Sequence, residues 1–173
     1  DFRQDALRLG IEVLAPSVIS SFRPFEVGEN RIYYSLAALK GVGDAAVEHI
    51  VAQRGEKPFK NLPDFCERVD PKIVGKRVFE SVIMAGALDC FGCDRAAMMA
   101  GVERMMGLAS LAQQNAVSGQ HDIFGASLGA QSQALNLPAT DPWLAADRLH
   151  REFQVVGFYL SAHPLDEYAP VLK

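Results

Sequence analysis

Leu39-Lys40-Gly41-Val42-Gly43 restricts this chain more than any other stretch. Two glycines separated by one apolar residue let the backbone reverse tightly, and Val42 between them is set to pack inward and lock the turn. Val47, Ile50 and Val51 then recur at helical intervals, which predicts a helix from about Asp44 to Arg54. Such a helix opens on backbone N–H groups that no earlier turn satisfies, a ready place for a phosphate. Asp44 is expected at the cap, where its carboxylate competes for the same amides.

This is the helix-hairpin-helix pattern of sequence-independent DNA binding, with Lys40, Gly41, Val42 and Gly43 as the predicted contact to the duplex backbone. The competing reading is a plain turn between two helices. Many such modules carry a basic residue just after the second glycine, where this chain has Ala45 and Ala46. Arg54, Lys57, Lys60, Lys72, Lys76 and Arg77 are the nearby candidates for the missing charge.

Around this motif the pattern is mainly α, with a small β hairpin near the start. Asp5–Leu9 reads as a helix end closed by Gly10, and Ile11–Leu14 as a short extended run. Phe22–Val27 and Arg31–Tyr34 flank the turn-like Gly28-Glu29-Asn30. Pro63 opens a short helix through Cys66, and Gly75–Met84 forms another with Val78, Val82 and Ile83 inward. Asp94 is expected to cap one long helix through Met99, Met105 and Leu108 toward Asn115. Residues 117–140, rich in Gly, Ser, Gln and Ala, read as a linker, and Asp141-Pro142 as the cap and first turn of a last helix. The predicted segments are therefore 1–35 with the β element, 36–116 helical, 117–140 linking, and 141–173 helical.

The 173 residues are 49% hydrophobic, enough for a real core, and the net charge of -4 argues against nucleic acid wrapped over the whole surface. Cys66, Cys90 and Cys93 are an odd number without a leader pattern, which suits reduced thiols in the cytoplasm. Cys90-Phe91-Gly92-Cys93 has the spacing of half a zinc site, but no second pair completes it, so no metal is expected. No apolar run approaches a membrane span. Asp64, Glu67 and Asp70 are the nearest approach to clustered carboxylates, and their spacing reads as a solvated face, so no catalytic residue is assigned. The chain opens at Asp1 without a start methionine, and the expectation is a piece of a longer polypeptide.

Gln120-His121-Asp122-Ile123-Phe124, bracketed by Gly119 and Gly125, has the make-up of a peptide that docks in a partner's pocket. It combines a glutamine for hydrogen bonding, an acid and two large apolar anchors. The competing reading is that Ile123 and Phe124 staple the linker to the core.

Ordered blocks along nearly the whole chain resemble the α subunit of bacterial DNA polymerase III, the C-family replicative polymerase. They include Leu9 to Pro16, the Leu39–Gly43 turn, Phe65 to Asp70, Met84 to Asp89, Gly119 to Gly125 and Gly157 to Leu165. The resemblance implies a region after the polymerase fingers that carries tandem helix-hairpin-helix units and precedes an OB-fold. It implies that Gln120, Asp122, Ile123 and Phe124 bind the sliding clamp (the β subunit), with Ile123 where leucine or methionine is more usual. Met84-Ala85-Gly86-Ala87 is the implied second, degenerate hairpin, and Ala162 replaces a glycine usual before the histidine and proline. The parent would be a DNA-directed DNA polymerase, a nucleotidyltransferase whose Mg-binding aspartates lie upstream, with other replicase subunits as further partners. The alternatives are the same region of a damage-tolerant C-family paralogue, or a stand-alone helix-hairpin-helix DNA-binding module.

Overall fold

The computed structural model describes residues 2–21, 25–28, 30–55, 57–118 and 135–162, the side chains of residues 2–4, 26 and 118 excepted. Helix α1 (Phe2–Arg8) stops where Gly10 takes φ +73°, and Ile11 N–H closes back on the Ala6 carbonyl at 2.8 Å. Strand β1 (Glu12–Leu14) follows, then β2 (Glu26–Gly28) and β3 (Arg31–Tyr33). The expected hairpin is present: β2 and β3 are antiparallel with Val27 opposite Ile32, and Asn30 turns at φ +58°. The structure adds a third strand, since β1 lies parallel to β3 with Val13 opposite Ile32, giving the order β1-β3-β2. That pairing crosses 19 positions of chain, and no local pattern signals it.

Helix α2 (Asp44–Arg54) has the predicted bounds and buries Ala46, Val47 and Ile50. Its last carbonyls are collected by Arg68, which donates to those of Gln53 and, at 3.4 Å, of Arg54, and to that of Lys57 just beyond the helix at 3.0 Å. The same guanidinium lies 4.6 Å from the Phe59 ring centre. Helix α3 (Leu62–Arg68) is capped by Asn61, which accepts from Asp64 N–H at 2.9 Å, and carries Pro63 in its first turn. Helix α4 (Lys76–Met84) turns Val78, Phe79, Val82 and Ile83 inward. Phe65 is the hub beneath them, edge-on to Phe59 at 5.1 Å and to Phe79 at 5.9 Å.

The expected long helix after Asp94 is two. Helix α5 (Arg95–Ala100) is capped by Asp94, and α6 (Val102–Ser118) begins beyond Gly101. The joint has no room for a side chain: a Cβ on Gly101 would lie 2.7 Å from Leu137 Cδ2 and 3.1 Å from Pro138 Cδ. Residues 135–140 thus cross over the joint. Leu135 and Leu137 pack on the core, and Asn136 O accepts from Arg104 at 2.5 Å, so this part of the expected linker is a packed strap. Helix α7 (Ala145–Val156) starts later than Asp141-Pro142, because Leu144 stays extended at ψ 151°. Trp143 instead lies under the guanidinium of Arg151, 4.4 Å from the ring centre.

One apolar cluster runs from Val18 and Tyr34 through the α2 to α6 helices to Val155, Val156 and Leu160. Cys66 is fully buried in it, and that burial, with the charge of Glu67 acting the same way, pushes its thiol up to about 12. The neutral thiol's contribution to stability is fully present below the ordinary 9.0 and is lost as pH rises from there through about 12. Urea unfolding from pH 8 to 11 should show stability falling by up to about 1.4 kcal/mol per pH unit from this group, a slope that Cys66→Ala lessens. Equal slopes in the two chains would place the alkaline sensitivity elsewhere.

Candidate nucleic-acid interface

Ser35 opens the hairpin by accepting from Ala37 N–H at 3.1 Å, and the first helix of the motif is a single 3-10 turn at Leu36–Ala38. Leu39 N–H and Val42 N–H close successive turns onto Leu36 O at 3.3 Å and Leu39 O at 3.2 Å. Gly41 takes φ +87°, where an L side chain is strained, and Val42 is buried behind it. Lys40 is exposed. Gly43 is the residue preceding α2 and offers no side-chain cap to its first amides. Asp44 is the first residue inside the helix, which corrects its expected position at the cap.

Two other helices hold this turn in place. Lys40 N–H donates to Val155 O of α7 at 2.8 Å, and the buried Ser81 hydroxyl of α4 donates to Lys40 O at 2.8 Å. Arg77, one turn before Ser81, crosses Gly41: a Cβ there would lie 3.0 Å from Arg77 Nε and 3.2 Å from its Cγ. The four predicted contact residues therefore form one seated turn, with the valine as its root and the lysine outward.

The structure separates the six candidate cations. Arg54 is buried and donates to Val18 O at 3.1 Å and Ser21 O at 3.0 Å, a tie between α2 and the N-terminal segment. Lys76 pairs with Glu103. Lys57, Lys60 and Lys72 are exposed, and Arg77 lies against Gly41. Sequence reasoning included Arg77 but had no means of ranking it, and it missed Ser81 because a lone serine in an apolar helix face carries no signal.

The glycine-preceded helix start recurs. Val74-Gly75 precedes α4 as Val42-Gly43 precedes α2, with Gly75 extended and without a side-chain cap, and Val74 fully buried. The implied second hairpin at Met84-Ala85-Gly86-Ala87 is built otherwise: between α4 and α5 the chain passes through a 3-10 turn at Asp89–Phe91. Gly86 there, at φ +80°, has Arg95 packed where its Cβ would be. Arg95 binds Asp89 Oδ2 at 2.7 Å, Met84 O at 3.2 Å and Glu152 Oε2 at 3.3 Å. Burial works against the Arg95 charge, but the hydrogen bonds it donates to Asp89 and the charges of Asp89 and Glu152 outweigh it and raise its pKa. This junction joins α4, α5 and α7 through a partly buried ion pair.

The scattered acids have structural partners. Asp64 accepts from Lys60 N–H at 2.9 Å and from Arg68 at 3.3 Å, and Asp70 accepts from Lys72 N–H at 2.8 Å. Among the described residues no group of three His, Cys, Asp or Glu side chains is placed to hold a metal ion, and no helix is long and apolar enough to cross a membrane. Gln120, Asp122, Ile123 and Phe124 lie outside the described residues.

Comparison with known proteins bears on this geometry. The helix-hairpin-helix motif family matches residues 10–98, a stretch that contains the turn, α2, α3 and α4. The DNA polymerase III subunit alpha of Caulobacter vibrioides is 39% identical over 173 residues, covering 99% of this chain and 15% of the relative. That of Vibrio cholerae is 42% identical over 163 residues, 92% of this chain and 14% of the relative. That of Thermus aquaticus is 36% identical over 169 residues, 97% of this chain and 13% of the relative. The chain thus spans about one-seventh of the length of these relatives. On the seated Gly41-Val42-Gly43 turn and the match to residues 10–98, the chain belongs to the helix-hairpin-helix motif family, in a form similar to one segment of bacterial DNA polymerase III α subunits.

Proposed function

We propose that this chain is the DNA-tethering and clamp-binding region of a DNA polymerase III α subunit. The observation that carries the reading is the Lys40–Gly43 turn, whose backbone is fixed from α4 and α7 while its lysine faces outward. A rigid turn of this kind presents backbone N–H groups and one positive charge to a phosphate, and so positions a protein on a duplex without reading bases. Similarity to polymerase α subunits along 99% of the chain supplies the context: the parent is a DNA-directed DNA polymerase, cytoplasmic and bacterial, working with other replicase subunits. Mg-dependent nucleotidyl transfer belongs to the parent's palm, and this region holds no cofactor of its own. Gln120, Asp122, Ile123 and Phe124 are the clamp-binding residues of the reading, glutamine setting register and the two apolar side chains filling the clamp pocket.

Fluorescence anisotropy with a labelled duplex tests the DNA half. Binding should be weak, indifferent to sequence and steeply weakened by salt, and Lys40→Glu should weaken it roughly three- to tenfold at 0.1 M salt. Salt-independent or sequence-selective binding would contradict the reading. Titration with a bacterial sliding clamp tests the other half.

A further inference from the structure

We propose that Arg77 of α4 is a phosphate-binding residue of this hairpin, supplying from a neighbouring helix the charge that Ala45 and Ala46 do not. The proposal rests on the DNA reading above and adds a residue from outside the motif. Three observations carry it. Arg77 is exposed, yet its stem and Nε lie against Gly41, so its guanidinium flanks the turn that carries Lys40. Ser81, one helical turn on, is 3% exposed and donates to Lys40 O, which fixes the spacing between the α4 face and the hairpin. The adjacent cation on the same helix, Lys76, is engaged with Glu103 on α6.

Gly41 then has a second role besides its positive φ. Any side chain there would collide with the Ser81 hydroxyl at 2.9 Å and with Arg77, so the glycine is what lets the arginine cross the turn. A guanidinium suits the task, since its planar fork meets two phosphate oxygens at once and it is charged at every working pH. The contact surface is therefore composite, one cation from the hairpin and one from the helix that buttresses it.

The test is duplex binding measured against salt for the unaltered chain and for Arg77→Gln, Arg77→Met, Arg77→Lys, Lys76→Gln and Lys40→Glu, with folding checked by circular dichroism. Arg77→Gln and Arg77→Met should weaken binding roughly three- to tenfold at 0.1 M salt and lower the slope of log affinity against log salt by about one. Arg77→Lys should keep most of the slope, and Lys76→Gln should change little. If the unaltered chain binds and Lys40→Glu weakens it while both neutral Arg77 variants leave affinity and slope unchanged, the assignment is overturned and the DNA reading stands. If the unaltered chain does not bind duplex at all, both fall. The two neutral variants differ in polarity, so misfolding of one leaves the other to decide.

Discussion

Glu152→Ala is expected to destabilise the fold by about 2–4 kcal/mol, the cost of taking a buried acceptor from two backbone N–H groups and from a guanidinium that keeps only Asp89 and Met84 O. Glu152 is 1% exposed, and its two oxygens accept from Arg95, from Leu160 N–H at 2.9 Å, from Ser161 N–H at 2.8 Å and from the Ser161 hydroxyl. Truncation strips every one of these donors at once and opens a space between α4, α5 and α7. Against the 5–15 kcal/mol typical of a whole domain, that is a large fraction. Arg95→Met combined with Glu152→Ala should cost more than Glu152→Ala alone, because Arg95 also holds Asp89 Oδ2 at 2.7 Å and Met84 O at 3.2 Å, but less than the two single losses added. Urea unfolding midpoints at neutral pH decide the matter, and a single-variant loss below about 1 kcal/mol would mean that water reaches the site and replaces the carboxylate.

The second large effect lies in the clamp half of the proposal. Phe124→Ala should weaken binding to a sliding clamp by about 2–4 kcal/mol, roughly thirty- to a thousandfold, since a short peptide concentrates its affinity in one or two buried anchors. Asp122→Ala, at the rim of such a contact, should cost much less. Thermal melting of the chain should be unaffected by either change. Unaltered clamp affinity in Phe124→Ala, or a melting temperature lowered by several degrees, would instead assign this ring to the chain's own packing.

Elements governed by local periodicity were legible in the sequence. The bounds Asp44–Arg54 and the helix ending at Met84 follow from apolar spacing between glycines, and Asn30 marks the hairpin turn. Features governed by distant partners were not. The parallel β1–β3 pairing, the break at Gly101 under Leu137, and the Arg95–Glu152 pair across 57 positions each depend on what the chain returns to meet. The candidate site divides along the same line: Lys40 to Gly43 announce themselves, whereas Ser81 and Arg77 matter only because α4 lies beneath the turn.

The hydrogen bond from Lys40 N–H to Val155 O has a consequence for where this module ends. The stretch that matches the motif family closes at residue 98, but one of the two walls that seat its turn belongs to a helix that starts at Ala145. Tyr34 repeats the dependence, its hydroxyl donating to Val156 O at 3.1 Å. The unit of inheritance and the unit of mechanics therefore have different edges, and a piece trimmed to the recognisable motif would carry the grip with half of its backstop missing.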